Sequence, residues 1–153
     1  MLCSNNLLKL CYSHYVICII EIKLFEGNTF YMQRTMNGAF AETAKGMVCT
    51  RETVERSIRG MLAANEVIYR EILSNVSGSQ KSTLYALAEE RIAESPTSGA
   101  FVKRHSLQSS SSVQSALLKL VKTGLVTKSE KGYSLIDPLL RIFINGLYSI
   151  PEI

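Results

Sequence analysis

The strongest constraint in this chain is a β-hairpin signal set directly behind a helix signal. Ser110–Thr123 carries Val113, Ala116, Leu117, Leu120 and Val121 on one helical face, and Gly124 follows as a C-cap. Two short strand candidates come next, Leu125–Lys128 and Tyr133–Ile136, separated by Ser129-Glu-Lys-Gly132, a four-residue turn ending in glycine. Asp137-Pro138 stops the second strand, because proline has no N–H to give to a ladder. Leu139–Leu147 then reads as a last apolar helix.

Upstream of this block, Ser77-Gly-Ser-Gln80 has the spacing of a capping box. The helix it opens places Leu84, Leu87, Ala88 and Ile92 on one stripe and stops before Pro96. Ser98 can cap a brief helix, Gly99–Arg104, and a polar turn, His105–Ser109, leads into the third helix. Helix, short helix, helix, hairpin is the order of a winged helix-turn-helix domain. Each element is commonplace; their order is a joint constraint.

The preceding part reads as a small helical bundle. Asn28–Thr43 has Phe30, Gln33, Met36 and Phe40 at helical spacing and stops near Gly46. Thr50 is a good N-cap for a helix carrying Val54, Ile58, Met61 and Leu62. A third, separate segment is expected over Glu66–Leu73, apolar at Val67, Ile68 and Ile72. The fold class expected is therefore mainly α (α+β), with three parts: an unassigned apolar segment over residues 1–26, a helical lid-like subdomain over 27–76, and a winged helix over 77–148. Apolar residues make up 46% of the 153, enough for a real core.

Charge is unevenly placed. The net +4 arises entirely after residue 96, where Lys103, Arg104, Lys119, Lys122, Lys128, Lys131 and Arg141 face Glu130, Asp137 and Glu152. A mild positive bias at one end suits contact with a phosphate backbone, although it is far below that of a strongly basic binder. The outer face of the third helix carries Ser111, Ser115, Lys119 and Lys122, with Gln114 at its edge. In a major groove, Ser111, Gln114 and Ser115 would reach base edges and the lysines phosphates, with Lys128 and Lys131 on the wing against the backbone or minor groove. Leu118 interrupts this polar face, which counts toward a surface that packs on protein. The serines of Ser109–Ser112 are first of all capping groups.

Little else points to chemistry. Asp137 is the single aspartate, and the twelve glutamates form no cluster around it, so catalysis by paired carboxylates is not expected. No glycine is followed by lysine, so there is no phosphate loop, and no G-x-G-x-x-G occurs. His14 and His105 lack a triad context, and His105 is expected to be an ordinary loop residue. Cys3, Cys11, Cys18 and Cys49 form no C-x-x-C pair and read as reduced thiols in a cytoplasmic protein. Cys11, His14 and Cys18 would share a helical face, but they lie in an apolar run that packs regardless, so no metal and no cofactor is expected. The unbroken apolar run Tyr15–Ile20 is too short for a membrane span of about 20 residues, and no small-residue cleavage site follows it. It reads as a strand or an orphaned piece of a larger core.

Residues 25–145 resemble the C-terminal portion of a prokaryotic, archaeal-type AAA+ family of P-loop ATPases. The similarity lies in Phe25-Glu-Gly-Asn-Thr-Phe-Tyr-Met-Gln33, in Ser77–Ala88, in Phe101-Val-Lys-Arg-His-Ser-Leu107 with Ser110–Leu117, and in Tyr133-Ser-Leu-Ile-Asp-Pro-Leu139. In that family a P-loop domain precedes a small helical lid and a winged helix. The resemblance implies a non-catalytic regulatory and interaction module, with a P-loop ATPase domain or a second copy of the chain as partner, weak contact with double-stranded DNA and no membrane. The nucleotide-binding domain has no counterpart here, Thr29 stands where the family often has proline, and residues 1–24 match nothing in it, which makes Met1 an expected artefactual start. The alternative is a stand-alone winged-helix transcriptional regulator using Ser111, Gln114, Ser115, Lys119 and Lys131.

Overall fold

A computed structural model of the chain describes residues 24–146. The apolar run and the Cys11, His14, Cys18 set lie outside them. The chain divides into two compact units, one of which comprises Glu66–Leu147.

In the first unit, α1 (Thr29–Glu42) is capped by Asn28, whose side chain accepts from the Tyr31 N–H at 3.3 Å. Phe30 and Phe40, set at helical spacing along it, are 59% and 82% exposed, whereas Thr35 and Ala39 are buried. The packed face is a small-residue face. A Cβ on Gly38 would stand 2.2 Å from the Ser57 hydroxyl oxygen, and that hydroxyl donates to the Thr35 carbonyl at 3.1 Å. Close approach of two backbones selects small side chains here, and bulky phenylalanines have no room.

The next helix, α2 (Arg51–Asn75), is one continuous element of 25 residues rather than two. Thr50 caps it as expected, accepting from the Thr53 N–H at 3.3 Å, and Val54, Ile58, Met61 and Leu62 are buried. No glycine or proline occurs between Met61 and Asn75, and Ala63-Ala64 are strong helix formers, so nothing ends the helix at residue 65. The consequence for its last three turns is a different buried face: Tyr69 and Leu73 are inside, whereas Val67 and Ile68 are exposed.

The second unit begins at Glu66, within α2. After α2 come α3 (Gly78–Glu90), α4 (Gly99–Arg104) and α5 (Ser110–Lys122). All three begin at serine caps. Ser77 and Gln80 form the reciprocal capping box, Ser98 accepts from the Phe101 N–H, and Ser109 from that of Ser112. Strands β1 (Val126–Ser129) and β2 (Gly132–Leu135) pair antiparallel, Val126 opposite Leu135 and Ser129 opposite Gly132. The turn is therefore tighter than its four residues imply, since Ser129 and Gly132 are themselves paired. The final helix, α6 (Pro138–Asn145), is closed by Gly146 in a left-handed cap (φ +60°); the expected last residue, Leu147, lies outside the described residues. Leu84, Leu87, Val113, Leu120, Val126, Leu139 and Leu140 form the core of this unit.

A third piece of sheet completes the wing. Ala93 exchanges both backbone hydrogen bonds with Tyr133, at 2.9 and 3.0 Å. The chain reaches that position because α3 ends in a tight turn at Arg91 (φ +62°), closed by the Ile92 N–H on the Glu90 carbonyl. The turn breaks the helical rotation, which is why Ile92 is exposed instead of continuing the stripe of Leu84 and Leu87.

Gly132 sits against this extra strand at φ +131°, and a Cβ there would lie 2.4 Å from the Ala93 carbonyl oxygen and 2.8 Å from the Glu94 Cα. Both obstacles are backbone and cannot swing aside. Gly132→Ala is therefore expected to cost about 2–4 kcal/mol, combining an unfavourable φ with overpacking. Urea denaturation measures it; a loss below about 0.5 kcal/mol would mean that the wing does not seat on Ala93.

Candidate nucleic-acid interface

Helix α5 is amphipathic, and its core face fixes what its other face presents. Val113, Ala116, Leu117 and Leu120 are buried, mainly against α3. The helical repeat then turns Ser111, Gln114, Ser115, Leu118, Lys119 and Lys122 outward, and all six are exposed. Val121, expected with the core, is 39% exposed because it borders the groove between α5 and the wing. Lys119 and Lys122 lie in the last turn, where the negative end of the helix dipole favours cations. The helix contains no acidic residue.

The two wing lysines are placed differently. Lys128, on β1, lines the groove opposite Gln114 and Leu118, and its ammonium lies 5.7 Å from the centre of the Tyr133 ring. Lys131 is exposed in the two-residue loop at the tip of the hairpin. The structure thus gathers Ser111, Gln114, Ser115, Lys119 and Lys122 on one helix face, sets Lys128 across a groove from them, and leaves Lys131 at the wing tip.

One cluster escaped the sequence reading. His105 is no loose loop residue: its ring is largely buried, tilted against Phe101 with centroids 4.5 Å apart, and its Nε2 lies 2.8 Å from Glu90 and its Nδ1 3.2 Å from Glu89. Arg104 also pairs with Glu90. These contacts tie the end of α4, and with it the turn leading into α5, to the end of α3. The pairs Glu89-Glu90 and Arg104-His105 stand some fifteen residues apart, so only the folded helices reveal their meeting.

Burial works against the Glu90 charge, but the hydrogen bonds and charges of His105 and Arg104 outweigh it and hold the carboxyl below its usual range. A lowered folded-state pKa gives stability that is present above the unfolded value and lost as pH falls through the folded one. Glu90→Gln should therefore unfold at lower urea than wild type at pH 7, with the gap closing as pH falls through and below the ordinary carboxylate range, where Glu90 itself becomes neutral. Urea midpoints between pH 7 and 3 test this; a gap independent of pH would exclude an ionic role.

Asp137 is committed elsewhere. One of its oxygens accepts from the N–H groups of Leu139 and Leu140, capping α6, and the other accepts from the Tyr69 hydroxyl at 2.9 Å. Among the described residues no group of three His, Cys, Asp or Glu side chains is placed to hold a metal, and no helix is long and apolar enough to cross a membrane.

Three packed helices, a two-stranded wing and an exposed third-helix face define a winged helix domain. A family model described as a probable winged helix domain matches residues 67–146, and the chain belongs to that family. Its start at residue 67 is close to the start of the second compact unit. No curated protein and no solved structure matches the chain.

Proposed function

We propose that this chain is a non-catalytic, cytoplasmic regulatory and interaction module that works beside a P-loop ATPase domain and touches double-stranded DNA weakly through its winged helix. The observation that carries the nucleic-acid part is the shared exposed face of α5, on which Ser111, Gln114, Ser115, Lys119 and Lys122 stand free of the core. A helix with that face fits a major groove, and Lys128 and Lys131 extend the positive surface along the wing. The ATPase part rests on the sequence resemblance over residues 25–145.

Two measurements follow. About four phosphate contacts, from Lys119, Lys122, Lys128 and Lys131, should give a log–log salt slope of about −3 to −4 in fluorescence anisotropy, reduced by about 2 in Lys119→Ala/Lys122→Ala. Tight, sequence-dependent binding that survives high salt would replace this reading with that of a stand-alone regulator. Mg-ATP titrated calorimetrically into the chain should show no saturable micromolar binding, because no backbone cradle and lysine are present for the β- and γ-phosphates. Micromolar binding would overturn the division of labour with a separate ATPase domain.

A further inference from the structure

Leu118 is the residue that the polar face of α5 does not account for. It lies mid-helix and is 69% exposed, one turn after Gln114 and next to Lys119. The core does not need it, since Leu117 and Leu120 are buried on the opposite side. Nor is it isolated: with Gln114, Val121, Pro96 and Tyr133 it lines the groove of about 470 Å³ between α5 and the wing, in which Lys128 is the basic and Glu94 the acidic member.

The occupant is chosen by charge and by chemistry together. The face carries Lys119 and Lys122 with no carboxylate on the same helix, which suits a polyanion. Within a DNA major groove the one apolar group that a base edge presents is the thymine 5-methyl, and the amide that recognises adenine bidentately is that of Gln or Asn. Gln114 and Leu118, four residues apart on one face, offer that pair of chemistries along the groove.

We propose that Leu118 is a specificity-determining residue that packs on the thymine methyl group, with Gln114 directed at a neighbouring adenine, so that the module prefers A·T-containing DNA modestly over an electrostatically identical duplex lacking the methyl. This inference rests on the DNA-contact reading given above.

The test compares an alternating dA–dT duplex with the same duplex carrying deoxyuridine in place of thymidine, by fluorescence anisotropy at low salt on the full chain. Both duplexes have the same phosphates, so the salt-dependent contribution cancels. Wild type should bind the thymine duplex about fourfold more tightly, the value of one buried methyl. Leu118→Ala should bind both equally, whereas Leu118→Met, which keeps an apolar contact, should retain most of the preference. Truncation at so exposed a position leaves no cavity, and circular dichroism checks the fold of each variant; the wild-type ratio decides even if a variant is lost. Equal binding of both duplexes by wild type, or an unchanged ratio in Leu118→Ala, overturns the inference while leaving weak DNA contact intact. Absence of binding to either duplex at low salt overturns the DNA reading itself.

Discussion

The second unit depends on a contact between two stretches of backbone. Where the wing returns, Gly132 and Tyr133 lie flat against Ala93 and Glu94, near enough that a single Cβ would collide. A two-stranded hairpin has little stability of its own in water. Here it gains a third strand position and a floor of helices, with Val126 and Leu135 turned inward beneath it. The same contact fixes where the wing stands beside α5, and so sets the groove bordered by Gln114, Leu118 and Lys128.

Two polar anchors complement that seating. Asp137 satisfies the first amides of α6 and receives the Tyr69 hydroxyl, while the Tyr69 ring packs 5.3 Å from Phe143. This makes the end of α2 part of the winged unit. Asn145 donates to the Ala88 carbonyl and holds the far end of α6 against α3. At the other side, Glu90 gathers Arg104 and His105 and sets the turn that aims α5. A surface ion pair contributes little by itself. A carboxylate shared between two bases at a helix-turn-helix corner has a positional effect that its modest energy conceals.

The division of labour on α5 follows from this frame. Its apolar side is consumed by the core, its basic end is favoured by the helix dipole, and its remaining face is left to solvent. In the proposed function the lysines supply a general attraction to a phosphate backbone, which carries no sequence information. In the proposed function, discrimination between sequences falls to the exposed side chains beside them, Gln114, Leu118 and the two serines, Ser111 and Ser115.

Local chemistry made much of this legible from sequence. Ser77, Ser98 and Ser109 cap their helices because a hydroxyl accepting from a free amide is a short-range interaction that spacing alone identifies. The hairpin and the polarity of α5 were equally readable, since each is a matter of period and of turn residues close in the chain. The tertiary structure alone decided the rest. Which face of α1 packs, where Ile92 points and what His105 does depend on partners fifteen or more residues away or on the closeness of two backbones, whereas the continuity of α2 past residue 65 lies in its own helix formers. Gly132 reads in the sequence as the end of a turn; folded, it is a place where a side chain would meet backbone of Ala93 and Glu94, because space between elements is a property of the assembled chain and not of its local pattern.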